Sequence, residues 1–245
     1  MWDYEECLKI VAHDVRNDIN SLQKLLDISE VSIVDRGKGN FSRVLSIVSM
    51  TDPDDYHYLE IFNEKLKTRC ILVFEGSKLV RIACGGVEPG AVFNPQEFCR
   101  SIAESEITLL KVVLPFFQWR EDMIHGFEPL DAQHERILCK WNELIKELIR
   151  GGKRVAVILE NLVNEVLENM NFEEELMRKY KYPKAKQHFK DHEDFRNLLK
   201  QLLEMAGKLG ALNMLLENMG LVYAYTAHLN DLDHELVSFL KRAIL

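Results

Sequence analysis

The spacing of hydrophobic and polar residues changes in character near the middle of the chain. In the first half, short runs rich in β-branched or aromatic residues predict strands, and segments of helical spacing lie between them. The predicted strands are residues 31–34, 44–48, 70–74 and 79–84, with a hairpin turn at Glu75-Gly76-Ser77. The predicted helices are residues 1–26, 54–67 and 94–113, the last opened by a cap at Asn94-Pro95. This half predicts a small α+β domain.

In the second half the strand pattern almost disappears and long amphipathic segments replace it. Helices are predicted over residues 132–150, 153–179, 184–206 and from 211 or 220 to 244. Gly151-Gly152, Tyr182-Pro183 and residues 207–210 separate them, and such short connections favour an up-down four-helix bundle. We therefore predict two domains, an α+β domain over residues 1–117 and an all-α bundle over residues 118–245.

Composition and charge narrow the function classes. A hydrophobic fraction of 47% beside 29% charged residues is typical of a globular chain that folds in water. The 39 acidic and 31 basic residues leave a net charge of −8, which argues against nucleic-acid or membrane partners. No long apolar run or signal-peptide pattern is present, so we expect a cytoplasmic protein. The 5 cysteines include no Cys-x-x-Cys pair, and we expect them to be reduced and mostly buried.

Histidines and acids accompany each other at helical spacing in the second half. His188 and His192 are four residues apart, so both rings project from one helix face, as two ligands of one metal would. His228 and Asp233 are five apart on the last predicted helix, and Glu173 and His134 come from two others. Each element alone is more often an ordinary polar face. Together, one or two donors from each of four antiparallel helices can converge on a bundle axis, where they suit iron, manganese or zinc.

The order of these motifs resembles the hemerythrin pattern over roughly residues 119–245. The residues that carry the resemblance are Asp131-Ala132-Gln133-His134, Glu173-Glu174-Glu175-Leu176-Met177, Tyr182-Pro183, His188, His192, His228 and Asp233, with Trp119 and Gly126. The resemblance implies a four-helix bundle that holds two non-haem irons bridged by one Glu and one Asp. In that family one iron has three histidine ligands and the other has two, and O2 binds reversibly at the latter.

The resemblance also implies a role for each matching residue. His188, His192 and His228 would hold the three-histidine iron, Glu173 and Asp233 would bridge, and His134 would bind the second iron. The remaining histidine of the pattern is replaced by Asn169, four residues before Glu173, and an amide is a far poorer ligand for iron than an imidazole. The ligand position that differs from the hemerythrin pattern therefore belongs to the iron that would bind O2.

Three outcomes follow from the Asn169 departure. Glu165, one helical turn before Asn169, could replace the imidazole and give a more acidic site suited to redox cycling or to manganese. Alternatively, the three-histidine side could keep one iron or zinc while the other side is weak or empty. The whole site could also be degenerate, its motifs retained only for packing. We interpret His234 and His125 as histidines that do not bind the metal. Of the two, His125 is a distant candidate to replace the missing ligand.

The function predicted from this pattern is the binding or sensing of O2, NO, peroxide or iron by a hemerythrin-like protein. The resemblance implies an N-terminal domain that serves as a signalling or interaction module, through a protein partner or a homodimer. We expect a binding protein rather than an enzyme. Two alternatives belong to other classes: a di-iron or iron–manganese oxidase or peroxidase that depends on Glu165, and a structural interaction protein with a degenerate metal site.

Overall fold

The structure, a computed structural model of the chain, describes a set of helical residues near the N-terminus and nearly all of the rest. The described residues are Cys7, Leu8, Ile10, Val11, Leu22, Leu26, 29–114, 116–206 and 211–244, without the side chains of Ser42 and of residues 211–218. Most of the helix predicted over residues 1–26 lies outside them. The chain divides into two compact units, Met1–Pro115 and Phe116–Leu245.

The first unit is built on an antiparallel sheet of five strands. The strands are β1 (Glu30–Lys38), β2 (Tyr56–Asn63), β3 (Thr68–Glu75), β4 (Lys78–Gly86) and β5 (Glu106–Val113), in the spatial order β1-β5-β2-β3-β4. The helices are α1 (Phe41–Val48) and α2 (Pro95–Arg100), followed by a 3₁₀ turn at Ile102–Glu104. The core lies where the buried side chains of β2, β3 and β5 meet α1 and α2.

Three of the predicted strands and their hairpin are confirmed. Residues 31–34 lie in β1, and residues 70–74 and 79–84 form β3 and β4, which pair in antiparallel register. The turn between β3 and β4 contains Gly76 at φ +54°, where a Cβ atom would lie 2.9 Å from Pro53 Cα. A glycine at this position therefore allows both the left-handed backbone and the close approach of the neighbouring chain.

The strand predicted over residues 44–48 is wrong, because this segment is the second half of α1. Its buried side chains, Phe41, Val44 and Val48, recur at the i, i+3, i+7 spacing of one helix face. The β-branched residues in this run favoured a strand locally. Packing of that face against the sheet outweighs the local preference.

The helices predicted over residues 54–67 and 94–113 are also corrected. The first segment is β2, which pairs with β3 on one side and β5 on the other. The second begins as predicted, because Asn94 Oδ1 accepts hydrogen bonds from the backbone N–H groups of Gln96 and Glu97. The helix ends at Arg100, however, and the rest of the segment forms the 3₁₀ turn at Ile102–Glu104 and then β5. Both misassigned runs form the centre of the sheet, where ladder hydrogen bonds from two neighbours override helical spacing.

The expectation of reduced cysteines is wrong for four of the five. Cys7 is joined to Cys99, and Cys70 is joined to Cys84 across the β3–β4 pair. Cys139, on the helical unit, is free and exposed. The sequence spacing could not show these pairs, because the partners meet only through the sheet and the packing of α2.

The second unit is helical throughout its long segments. They are α3 (Glu128–Arg150), α4 (Val155–Tyr180), α5 (Ala185–Met205) and α6 (Ala211–His228), which continues through a π-helical turn (Leu229–Asp233) into α7 (His234–Ile244). Helix α3 packs on α4, α4 on α5, α5 on α6, and α6 returns to α3. These helices agree with the predicted segments to within a few residues at each end.

The ends of these helices follow from local residues. Helix α3 stops at Gly151, whose φ of +109° is left-handed, and α4 stops at Lys181, also left-handed at φ +53°. Apolar faces with fully buried side chains such as Trp141, Leu159 and Val166 form the unit's interior. In the part of the chain that the structure describes, no helix combines the length and apolar character needed to cross a bilayer.

Candidate metal centre

Histidine and carboxylate side chains converge inside the helical unit from several helices. Glu173 lies on α4, and His188 and His192 lie one turn apart on α5. His228 ends α6, and Asp233 ends the π-helical turn that follows it. All five are nearly or fully buried: Glu173, His192 and Asp233 are 0% exposed, His188 1% and His228 7%. Each offers one ligand atom, and these five atoms lie within 4.8 Å of one another.

The π-helical turn explains how His228 and Asp233 reach the same point. In a regular α-helix, residues five apart point about 140° away from each other. A π turn hydrogen-bonds residue i to residue i+5 and so stacks the two positions on one face. The single π turn at Leu229–Asp233 thus turns a five-residue spacing into two adjacent inward-facing ligands.

The distances within the cluster are short. Glu173 Oε2 lies 3.1 Å from His192 Nε2 and 3.3 Å from His188 Nε2. Asp233 Oδ1 lies 3.1 Å from the Nε2 atoms of both His188 and His228. The three imidazole Nε2 atoms face each other, at 3.2 Å between His188 and His228 and 3.3 Å between His192 and His228. Several lone pairs are therefore directed at one small volume.

His134, on α3, reaches the other side of the two carboxylates. Its Nε2 lies 3.5 Å from Glu173 Oε1 and 3.4 Å from Asp233 Oδ2. Glu173 thus presents one oxygen toward His188, His192 and His228, Asp233 presents one toward His188 and His228, and the other oxygen of each faces His134. The structure brings together all six residues predicted as ligands: His134, Glu173, His188, His192, His228 and Asp233.

The centre concentrates charge in the buried interior of the helical unit. Burial by itself would raise the pKa of Glu173, but the imidazoles of His134, His188, His192 and His228 around it hold that pKa well below its usual range. Burial would also raise the pKa of Asp233, as does the charge of Glu173, but His228 and His188 outweigh both and lower it. The surroundings therefore favour the ionised form of both carboxylates in the interior of the bundle.

The histidines respond to these carboxylates in the opposite sense. Burial alone would lower the pKa of His228, but the charge of Asp233 and the hydrogen bond with Asp191 raise it well above its ordinary value. The pKa values of His134 and His188 are raised in the same way against burial, by Glu173 and Asp233. The buried pair of carboxylates, Glu173 and Asp233, is stabilised by positive charge nearby. Either protonated imidazoles or a metal cation can supply that charge.

The unused lone pairs of Asp233 test whether the site fits a cation. Both carboxylate oxygens are buried, and among the described residues neither has a hydrogen-bond partner of good geometry, although imidazole nitrogens lie 3.1 Å away. Buried carboxylates are normally well hydrogen-bonded. Carboxylate oxygens and imidazole nitrogens that crowd together without aligned hydrogen bonds are the donor set of a transition-metal site. The residues therefore fit a metal ion.

Two outer carboxylates orient the ring nitrogens on the far side of the cluster. The carboxylate of Asp191 accepts a hydrogen bond from His228 Nδ1 at 2.5 Å, and Glu174 Oε1 lies 3.2 Å from His192 Nδ1. The hydrogen bond with His228 lowers the pKa of Asp191. Such carboxylate–histidine pairs hold a metal-binding ring in place and raise its basicity.

Sequence reasoning missed these two outer carboxylates. Each is adjacent in the chain to a predicted ligand, since Asp191 precedes His192 and Glu174 follows Glu173. Adjacency gave a weak signal, but it pointed to the wrong histidine for Asp191, whose partner His228 lies on another helix. The pairing depends on how α5 and α6 pack.

From the sequence alone, binding of a second cation was linked to Asn169 and Glu165. In the structure both side chains contact other residues. Asn169 is buried, its Nδ2 donates to Gln133 Oε1 at 3.2 Å, and its Oδ1 accepts from the Tyr225 hydroxyl at 3.4 Å. Glu165 is partly exposed and lies 3.6 Å from Arg136. Both are therefore engaged in contacts of their own.

Comparison with known proteins supports a relation over part of the chain. The chain is 34% identical over 79 residues to a bacteriohemerythrin of Pseudomonas paraeruginosa and 31% identical over 78 residues to one of Stenotrophomonas maltophilia. A bacteriohemerythrin of Pseudomonas aeruginosa is 34% identical over 79 residues. Each match covers 31% of this chain, and the chain spans about half (51%) of the length of these relatives. No family model matches. The chain contains a hemerythrin-like region, and the rest is unrecognised.

Proposed function

We propose that this chain is a hemerythrin-like protein that binds non-haem iron in its helical unit and uses it to bind or sense O2, NO, peroxide or iron itself. The observation that carries the proposal is the buried convergence of three imidazoles and two carboxylates, Glu173, His188, His192, His228 and Asp233. The likeness to bacteriohemerythrins supports iron as the metal. His134, across the two carboxylates, is the proposed ligand toward a second iron.

Each residue of the centre would have its own role toward a bound iron. When bound, iron supplies a redox-active Lewis acid able to accept a small ligand. Glu173 and Asp233 balance its charge, and their two-sided placement makes them the proposed bridging groups. Asp191 and Glu174 fix the orientation of His228 and His192. Burial of all five ligands keeps bulk water away, which strengthens their electrostatic hold on the cation.

The carboxylate-rich oxidase is the weaker alternative. It depends on Glu165 as an additional ligand, and the contact of Glu165 with Arg136 directs this carboxylate toward a partly exposed surface. Carrier or sensor function needs no such ligand. We therefore retain ligand binding or sensing as the proposal.

The unit that precedes the bundle is proposed to be the signalling or interaction module, with domains over residues 1–117 and 118–245. Oxidation or ligand binding would shift the balance between two arrangements of the bundle helices, and the first unit would respond to that shift. Hydrogen exchange of the first unit, compared between metal-free, reduced and oxidised protein, tests this. Identical exchange in all three states would remove the signalling role.

The cytoplasmic location inferred from the sequence stays a prediction. Disulfides persist mainly in oxidising compartments, and the two disulfides of the first unit are the feature that bears on this question. Fractionation of the native host cells, with thiol trapping at lysis, would decide the compartment and the cysteine state together.

Iron content decides the metal-binding proposal. Protein expressed with iron and purified without oxygen should carry at least about one iron per chain, and its optical spectrum should change on exposure to air. The double variant His188→Ala/His192→Ala should lose that iron. His234→Ala is the matched control, because this histidine is exposed on the same unit outside the cluster. Wild-type protein without tightly bound iron would overturn the proposal.

A further inference from the structure

A second group of potential ligands lies beside the centre. It consists of His125, Asp131 and His134, whose ligand atoms lie within 4.8 Å of one another. The His125 ring centroid is 5.9 Å from that of His134. His134 thus belongs to both groups, since its Nε2 also approaches Glu173 and Asp233.

The His125 side chain is buried without a polar partner. It is 6% exposed, and among the described residues neither Nδ1 nor Nε2 has a hydrogen-bond partner. Burying a polar group with no hydrogen bond is unfavourable, so a buried ring with two unpaired nitrogens calls for a partner. The His125 ring therefore holds a lone pair and an N–H group that nothing in the described chain satisfies.

Hydrogen bonds from two helices fix the backbone turn that carries His125. The Asp131 carboxylate accepts hydrogen bonds from the backbone N–H groups of His125 and Gly126, with N···O distances of 2.9 and 2.8 Å. Lys241 Nζ, from α7, donates to the His125 carbonyl oxygen. Gly126 has φ +77°, and a Cβ atom there would lie 2.6 Å from Lys241 Nζ. The turn is thus fixed from two helices, and the buried ring is a result of this arrangement.

The other candidates for this side of the centre are already occupied. The Asn169 amide is engaged by Gln133 and Tyr225, and Glu165 contacts Arg136. On the part of the chain that the structure describes, His125 is the imidazole next to His134 with both nitrogens unpaired.

We propose that His125 is the second imidazole ligand, beside His134, for a second divalent transition cation adjacent to the main centre. In this arrangement Asn169 is not a ligand, and its place is taken by a histidine from the loop before α3. The inference rests on the proposed function, because the second cation would share Glu173 and Asp233 with the first. Imidazole with carboxylate suits ferrous iron and its neighbours in the transition series.

Metal stoichiometry tests the assignment. Metal-free protein would be titrated anaerobically with ferrous ion, and with Co²⁺ as a spectroscopic probe, and bound metal counted after gel filtration. Wild-type protein should bind about two cations per chain, and His125→Ala about one. His125→Gln, which retains a polar side chain of similar length, should also bind one. His234→Ala is the matched control, because its ring centroid is 5.4 Å from that of His125 and it lies outside both ligand groups.

A rescue variant separates ligation from a structural effect. Asn169→His places an imidazole four residues before Glu173, on the same face of α4. Introduced into His125→Ala, it should restore the second cation, and far-UV circular dichroism should be the same for all variants. Restored binding would show that the missing group was a ligand and not a packing element.

The outcomes distinguish this inference from the proposed function. Two cations in both wild-type protein and His125→Ala would overturn the role of His125 and leave the proposed function standing. One cation per chain in both wild-type protein and His125→Ala would also overturn the role of His125 and leave the proposed function standing. Loss of both cations from His125→Ala, without rescue by Asn169→His, would also overturn the assignment. A wild-type protein that binds no cation would remove the proposed function and this inference with it.

Discussion

At the scale of single residues, the centre is organised by charges that have no contact with bulk water. Glu173 and Asp233 are fully buried acids, and each is balanced by imidazoles on both of its sides. Removing a single member would leave an uncompensated charge in the interior, which is more costly than the pair itself. Of the two outer carboxylates, Asp191 is partly exposed, so its substitution should cost less and leave the fold intact.

Asp191→Asn should weaken metal binding while preserving the fold. The amide oxygen can still accept from His228 Nδ1, but the negative charge that increases the basicity of the ring is lost. We expect a decrease in affinity of about 10-fold or more, measured by competition with a chelator of known affinity. Asp194→Asn, an exposed acid on the same helix that lies 4.0 Å from Lys190, is the control. Equal affinities for the two variants would contradict a positioning role for Asp191.

At the scale of elements, the ends and irregularities of the helices place the ligands. The π turn at Leu229–Asp233 stacks His228 over Asp233, and the ends of α3 and α4 determine where α4 and α5 begin. Spacing predicted the existence of each helix, since its hydrogen bonds join residues four apart. The same rule cannot show a strand: β2 and β5 were predicted as helices, and β5 pairs with β1 and β2, which lie far from it along the chain.

Two glycine substitutions in the helical unit should have opposite effects on stability. Gly151 ends α3 at φ +109°, so Gly151→Ala should lower the free energy of unfolding by about 1 kcal/mol. Gly220 lies inside α6, is exposed, and an added Cβ atom meets nothing within 4 Å. Gly220→Ala should therefore raise the free energy of unfolding by about 0.5–1 kcal/mol. Urea unfolding followed by circular dichroism measures both, and shifts of the same sign would refute the assigned helix ends.

At the scale of the whole molecule, the two units are stabilised by different means. The sheet unit has a hydrophobic core and two disulfides, whereas the helical unit has an apolar interior interrupted by a polar centre. A metal that binds only the folded state stabilises the unit that holds it. Reduction and metal removal should therefore act on separate units.

Thiol counting tests the cysteine pairing. Native protein prepared without reductant should react with about one equivalent of a thiol reagent in denaturant, at Cys139, because the other four cysteines are paired. Cys139→Ser should abolish the signal, and full reduction should reveal the rest. Five reactive thiols in the unreduced protein would contradict the disulfides and return the cysteines to the state expected from the sequence.

Removal of the metal should destabilise the helical unit alone. At free metal 100-fold above its dissociation constant, binding adds about 2.7 kcal/mol to the free energy of unfolding. We expect a chelator to lower the melting temperature recorded by the helical circular dichroism signal, and to have no effect on the double variant His188→Ala/His192→Ala. A chelator effect of equal size on that variant would mean that the stabilisation arises elsewhere.

The amino-acid sequence by itself predicted the helices of the second half and the six candidate ligands that the structure brings together. Helix hydrogen bonds and apolar faces are local, so the i, i+4 pair His188 and His192 and the ends near Gly151 and Tyr182-Pro183 can be read from short windows. The hairpin at Gly76 is local in the same sense. For these features, neighbouring residues contain all the information required.

Only the tertiary structure decided the features whose partners are distant in the chain. Strand β5 lies between β1 and β2, Cys7 meets Cys99, and Asp191 pairs with His228 across two helices. The turn that holds His125 is fixed by Lys241 from the far end of the chain. In each case the local pattern allowed several conformations, and the free energy of long-range pairing and burial selected one of them.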